Sequence, residues 1–338
     1  MSAVKKFLKA REMTSFLFLA ALFLIVGVIN PSFLTLSNVS ACFNTSVVYT
    51  LIAVGMAFAI FVGEIDVSVG SNMGLVAAVV GTMIQNGSSW LLSFAVGILI
   101  GVIVGLVNGW GVAVMKVPSL IFTLGTNGIL RGMMYLQVGV EQVNQLPKAF
   151  KDISSMTLIG SFTIYYCCAV ALTIAIHFLL TRTRKGRYFI AVGDNAGGAE
   201  LVGIPATRTK VLAYVICGVL SAVAGIIFCS RIGIVTSLSG NGYEMKAVAA
   251  CVLGGISLSG GVGSVIGAGI GAVIMASISY LLVFMGFSSN YDNAITGVIL
   301  ITIVVADALM QHRAAVNNRH ARLAARTSAA SSGKEGEQ

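Results

Sequence analysis

Apolar residues along this chain neither alternate nor mark one face of short amphipathic segments. They run on in stretches of roughly 17 to 25 residues, separated by short charged or Gly/Pro-marked breaks. A helix of that length crosses about 30 Å of hydrocarbon at 1.5 Å per residue. Spans are predicted at 15–34, 46–62, 67–85, 91–115, 118–138, 157–180, 211–232, 262–286 and 293–310. A further apolar segment, 245–256, is too short to cross unless neighbouring backbone completes it. An outer-membrane barrel would show alternating ten-residue strands between aromatic girdles, and these continuous runs of Ala, Gly, Leu and Val exclude it.

Composition agrees with the pattern. Apolar residues make up 57% of the chain and charged residues 10%, whereas a soluble domain carries about 25% charged residues to wet its surface. The expected fold is all-α, a polytopic transmembrane helical bundle of about ten spans. The 39 glycines point to close helix packing, because lipid offers no hydrophobic drive and bare backbones approach closest. The first run, Ser15 to Ile29, is followed by Asn30-Pro31 and by no small-residue cleavage site, so it reads as a retained span.

A net charge of +9 raises the question of nucleic acid, and the distribution of charge answers it. Lys5, Lys6, Lys9 and Arg11 precede the first run; Arg182, Arg184, Lys185, Arg187, Arg208 and Lys210 flank a central loop; Arg313, Arg319, Arg322, Arg326 and Lys334 occupy the tail. This is the positive-inside pattern, which puts all three segments in the cytoplasm and predicts no nucleic-acid partner. Both termini are then cytoplasmic, and parity requires 245–256 to count as a crossing. The chain divides into a basic cytoplasmic N-terminus (1–14), a transmembrane domain (15–310) with a cytoplasmic loop at 181–210, and a basic tail (311–338) too polar to order. Cys42, Cys167, Cys168, Cys217, Cys229 and Cys251 lie mostly in apolar runs without CxxC spacing and read as packing residues.

Ionisable groups inside a bilayer are costly and tend to be functional. Glu64 and Asp66 sit two apart in Gly63-Glu64-Ile65-Asp66-Val67-Ser68-Val69-Gly70, a segment that could unwind between its glycines. Two compatible readings are open: a solute-path or gating element, or an N-cap in which Asp66 or Ser68 accepts from the first amides of the next helix. Asn108, Thr123, Thr126 and Asn127 are further candidates for the translocation path, since polar groups in a bundle interior can bond a polyhydroxylated solute. Arg131 reads either with them or as interhelical glue or a snorkelling arginine. Glu244 and Lys246 are expected to face water at the external surface, and His177 the interface. Ile65 to Ser71 resembles Ile256 to Gly261; chance similarity or an internal repeat with interrupted helices, the match points to where helices break.

No phosphate-cradling G-x-x-x-x-G-K-[ST], HExxH or nucleophile elbow occurs. No catalytic residue, metal site or cofactor is expected on this chain. Asn195 to Ile204 fits a short cytoplasmic helix, with Asp194 as its cap and Gly203-Pro205 as its stop; an ordinary solvated loop helix would look the same.

Four stretches, in order over about residues 45 to 305, carry a resemblance. They are Glu64 to Ser71; Gly105-Leu106-Val107-Asn108-Gly109 with Lys116-Val117-Pro118 and Thr123 to Thr126; Gly186-Arg187 with Gly193-Asp194-Asn195; and Glu244 to Ser257. The chain resembles the permeases of ribose-type ABC importers, and within them those of autoinducer-2 import systems. The resemblance implies a bacterial inner-membrane permease paired with a second permease, identical or paralogous. Separate ATPase subunits would hydrolyse ATP, and a periplasmic binding protein would deliver a small uncharged sugar-like solute. It also implies that the loop helix docks in the ATPase, with Asp194, Asn195, Gly198, Ala199 and Gly203 in the coupling loop. The family's Glu-Ala-Ala-x-x-x-Gly maps onto Gly197, Gly198, Ala199 and Gly203, so two glycines replace better helix formers at about 1 kcal/mol each. An ion-coupled secondary transporter using Glu64 or Asp66 is the rival reading.

Overall fold

A computed structural model describes residues 11–139, 142–288, 291–302, 304 and 305; the tail and most of the basic N-terminus lie outside the described residues. The fold is a helical bundle: α1 (Arg11–Ile29), α2 (Leu36–Thr45), α3 (Val47–Phe61), α4 (Val69–Gln85), α5 (Trp90–Gly109), α6 (Ser119–Val138), α7 (Lys148–Asp152), α8 (Ile164–Arg182), α9 (Arg184–Asp194), α10 (Ala196–Leu201), α11 (Ala206–Ile232), α12 (Tyr243–Leu253) and α13 (Val265–Phe284), with residues 291–302 helical beyond them. Among the described residues, α5 with its continuation to Val114, α8, α11 and α13 are each long and apolar enough to cross a membrane. A fifth span is gained when α2 and α3, bent by 41°, are taken together.

Local chemistry sets the helix starts. Ser89, Thr163, Thr183 and Asn195 each accept a hydrogen bond from an amide in the first turn of α5, α8, α9 and α10 respectively. α11 begins after Pro205 and ends at Gly233 in the left-handed region. At the end of α5 the ladder widens into a π turn, Trp110–Val114, followed by Lys116 at φ +59°, an uncommon conformation for a side-chain-bearing residue.

Central to the bundle is α11, packed along α5, α3 and α4. Its contact with α5 shows what the glycines do: a β-carbon on Gly105 would stand 2.6 Å from the Tyr214 carbonyl oxygen, and one on Gly218 2.2 Å from that of Gly101. The backbones touch because neither helix has a side chain there.

Contacts between turns sort them onto two ends. At one end Gly261 N donates to Phe61 O at 3.0 Å, Lys210 reaches Glu64, and Ile65 N lies near Ser119 Oγ. At the other end Asn144 and Gln145 donate to the Gln85 side chain, Val143 bridges to Val235, and Thr163 N donates to Asn44. The basic central loop thus shares an end with both non-helical breaks, residues 62–68 and 254–264, where the two similar stretches fall.

The structure corrects three expectations. The predicted span 157–180 opens as a small hairpin, Thr157–Ile159 with Phe162–Thr163, and helix begins only at Ile164. β-branched and aromatic residues around Gly160, at φ +55°, favour the turn over a first helical turn. The loop 181–210 holds the additional helix α9, whose charges conceal a stripe of Gly186, Phe189 and Val192 buried in the bundle. Asp194 does not cap the loop helix: it ends α9, and Asn195 Oδ1 takes the Gly198 amide at 2.9 Å.

Candidate functional site

Of the six candidates for the path, four converge where the first break enters the bundle. Asp66 Oδ1 accepts from Ser68 N at 2.9 Å and from Ser68 Oγ at 2.6 Å, and Asn108 Nδ2 donates to Ser68 Oγ at 2.8 Å and to both Asp66 oxygens at 3.3 and 3.4 Å. Thr123 Oγ1 receives Val67 N at 3.2 Å while donating to Ser119 O in its own helix. All four are buried. A buried carboxylate needs its bonds filled, and here the turn of Asp66 onto Ser68 and the reach of Asn108 fill them, pinning the break to α5 and α6; neither the Asp66 nor the Ser68 side chain accepts from the first amides of α4, so the expected N-cap is not formed.

Thr126 and Asn127 stand apart from this knot. Thr126 Oγ1 donates to Phe122 O of its own helix, and Asn127 Oδ1 has no partner among the described residues. Asn72, which the sequence reading passed over, is fully buried on α4, and its Nδ2 donates to Gly218 O at 3.0 Å. Its only signal was a lone amide in an apolar run.

The two carboxylates of the first break part company. Glu64 turns to Lys210, Nζ to Oε1 at 2.5 Å, with both side chains partly buried. Glu244 and Lys246 are not at a wet surface. Residues 233–242 fold inward, so that Ser239 O accepts from Arg131 Nη1 at 2.8 Å and Gly240 lies against Gly70. This carries the start of α12 into the bundle. There Lys246 pairs with Asp292, donates to Tyr49 Oη at 3.3 Å and lies over the Tyr49 and Tyr243 rings at 5.4 and 5.7 Å. Arg131 accordingly joins α6 to the inward loop, which favours its packing reading.

At the loop end, α10 is six residues long despite Gly197 and Gly198. The Asn195 cap opens it, and Gly203, at φ +82°, closes it with Ile204 N donating back to Ala199 O at 2.9 Å. Ala199 faces inward at 5% exposure, whereas Leu201 and Val202 are 90% and 76% exposed. Beside α10 lies a cleft of about 360 Å³, lined among others by Glu64, Lys116, Glu200, Thr207 and Lys210. Two apolar side chains thus stand exposed beside a charged cleft, on a capped helix at the basic end.

Comparison with known proteins locates this arrangement. The family model described as branched-chain amino acid transport system / permease component matches residues 38–304. The autoinducer 2 import system permease protein LsrC of Enterobacter sp. (strain 638) is 39% identical over 318 residues, covering 93% of this chain and 92% of that protein. Its namesakes from Klebsiella pneumoniae and Salmonella typhi are 37% and 36% identical, covering 94% and 88% of this chain and 92% and 85% of theirs. No solved structure matches the chain.

Proposed function

The chain belongs to the branched-chain amino acid transport system / permease component family, and from that premise we propose that it carries a small uncharged sugar-like solute, autoinducer 2 first and a ribose- or rhamnose-type sugar next. Members are non-catalytic, multi-pass subunits of ABC importers in the bacterial inner membrane. The observation that supports the solute is likeness along nine-tenths of the chain to permeases named for autoinducer 2.

In this reading the chain crosses the bilayer ten times with both termini in the cytoplasm, the short helices completing crossings beside their neighbours. α10 docks in a separate ATPase subunit through Leu201 and Val202, with Asp194, Asn195, Gly198, Ala199 and Gly203 shaping the loop. A second permease covers the open face of α6, where β-carbons on Gly125, Gly128 and Gly132 would meet nothing. A periplasmic binding protein delivers solute at the opposite end. Asp66, Ser68, Asn108 and Thr123 set the wall of the path, and Thr126 and Asn127 border it. Glu64 and Asp66 already hold partners within the chain, which favours ATP over ion coupling.

Competition uptake tests the solute. Cells carrying this permease with its cognate ATPase and receptor should accumulate labelled autoinducer 2, with unlabelled autoinducer 2 competing better than ribose or rhamnose. Competition by a branched-chain amino acid and not by these solutes would refute the assignment.

A further inference from the structure

The helix pairs α3–α4 and α12–α13 each turn back at the end that carries α10, and both of these breaks touch the segment holding it. Gly193, in the last turn of α9, packs against Phe61 and Gly261 at once, while Gly261 N bonds Phe61 O at 3.0 Å. On the other side of α10, Lys210 in the first turns of α11 is ion-paired with Glu64 near the start of the first break. Two residues beyond Glu64 lies Asp66, whose bonds to Ser68 and Asn108 hold the beginning of α4.

We infer that the Lys210–Glu64 pair is a positioning strut that transmits displacement of α10 into the first helix break, and through Asp66 into the wall of the solute path. The inference rests on the importer reading, since it needs a motor that moves α10. Three features carry it. Among the described residues the pair is the ionic link from the α11 start to the break; it is partly buried at the edge of the cleft, so its attraction is screened less than that of a fully exposed pair. The stretch between Glu64 and Asp66 is non-helical, so a pull on one is passed to the other without unwinding a turn. And the far end of the break is pinned by the Asp66 knot, so motion at Glu64 has to reorient α4 or strain the knot. Lys116 and Glu200 line the same cleft, so charge there is distributed, and only reversal and rescue isolate the pair.

The test uses the complete complex of this chain, its second permease, ATPase subunits and binding protein in proteoliposomes, with solute uptake and ATP hydrolysis read together. E64K and K210E should each lower solute moved per ATP at least fivefold, and E64K/K210E should return the ratio to within twofold of wild type. A purely structural pair would shift assembly or melting but leave that ratio unchanged. Single reversals with a wild-type ratio, or a double reversal as uncoupled as the singles, would overturn the strut. If the reversals do not assemble, K210M and E64Q should lower the ratio and K210R keep it, and equal ratios in all three would overturn it. A wild-type complex that imports nothing under ATP strikes the importer reading instead.

Discussion

Gly193 approaches Phe61 so closely that a β-carbon at 193 would stand 1.7 Å from the Phe61 carbonyl oxygen and 2.5 Å from the Gly261 amide nitrogen. All the atoms in the way belong to backbone, so no rotamer change relieves the clash. Gly193→Ala should destabilise the subunit by about 3 kcal/mol, at the upper end of ordinary overpacking. Gly125→Ala, on a helix in open surroundings, should be neutral or stabilising by up to about 1 kcal/mol. Thermal unfolding of the detergent-solubilised protein compares the two, and equal midpoints would contradict the packing.

Asn108 and Thr126 separate what their sequence context made look alike. Asn108→Ala removes a donor shared by the Asp66 carboxylate and Ser68, and should cost about 1.5–3 kcal/mol. Thr126→Val removes a hydroxyl that serves only its own helix and should cost under about 1 kcal/mol. The same unfolding assay orders them.

Lys246 and Asp292 should behave as a buried pair. Lys246→Met or Asp292→Leu alone strands a charge and should cost about 3–5 kcal/mol, whereas the double substitution should recover most of that loss. A double-mutant cycle with additive singles would mean that the pair is not coupled.

The open glycines of α6 test the dimer. A β-carbon on Gly128 meets nothing within 4 Å in its own subunit, so with Gly128→Leu the isolated subunit should keep its unfolding midpoint while the permease pair dissociates. Light scattering of the protein in lipid nanodiscs reads the mass, and an unchanged dimer would move the partner to another face.

Much of this was legible in the chain because bilayer chemistry is blunt. Long apolar runs announced a helical bundle, and the glycines bracketing Glu64 and Asp66 announced a break. Period and composition could not show partners distant in sequence. Lys246 beside a loop looks solvated until Asp292, 46 residues on, is folded against it. Lys210, one of a basic cluster, looks like a topology signal and also bonds Glu64, 146 residues away. α9 escaped for a different reason: its charges outnumber the buried stripe of Phe189 and Val192, and so it read as loop. Asn195 outcompeted Asp194 as cap because α9 continues through Asp194.

Uptake in proteoliposomes reads ATP-driven import by this non-catalytic permease without the rest of the cell. With the whole complex, binding protein outside and ATP within, labelled autoinducer 2 should accumulate, stop when the ATPase is made hydrolysis-deficient, and persist when a protonophore and a sodium ionophore collapse the ion gradients. Accumulation that survives loss of hydrolysis and disappears with the gradients would make the chain an ion-coupled carrier instead.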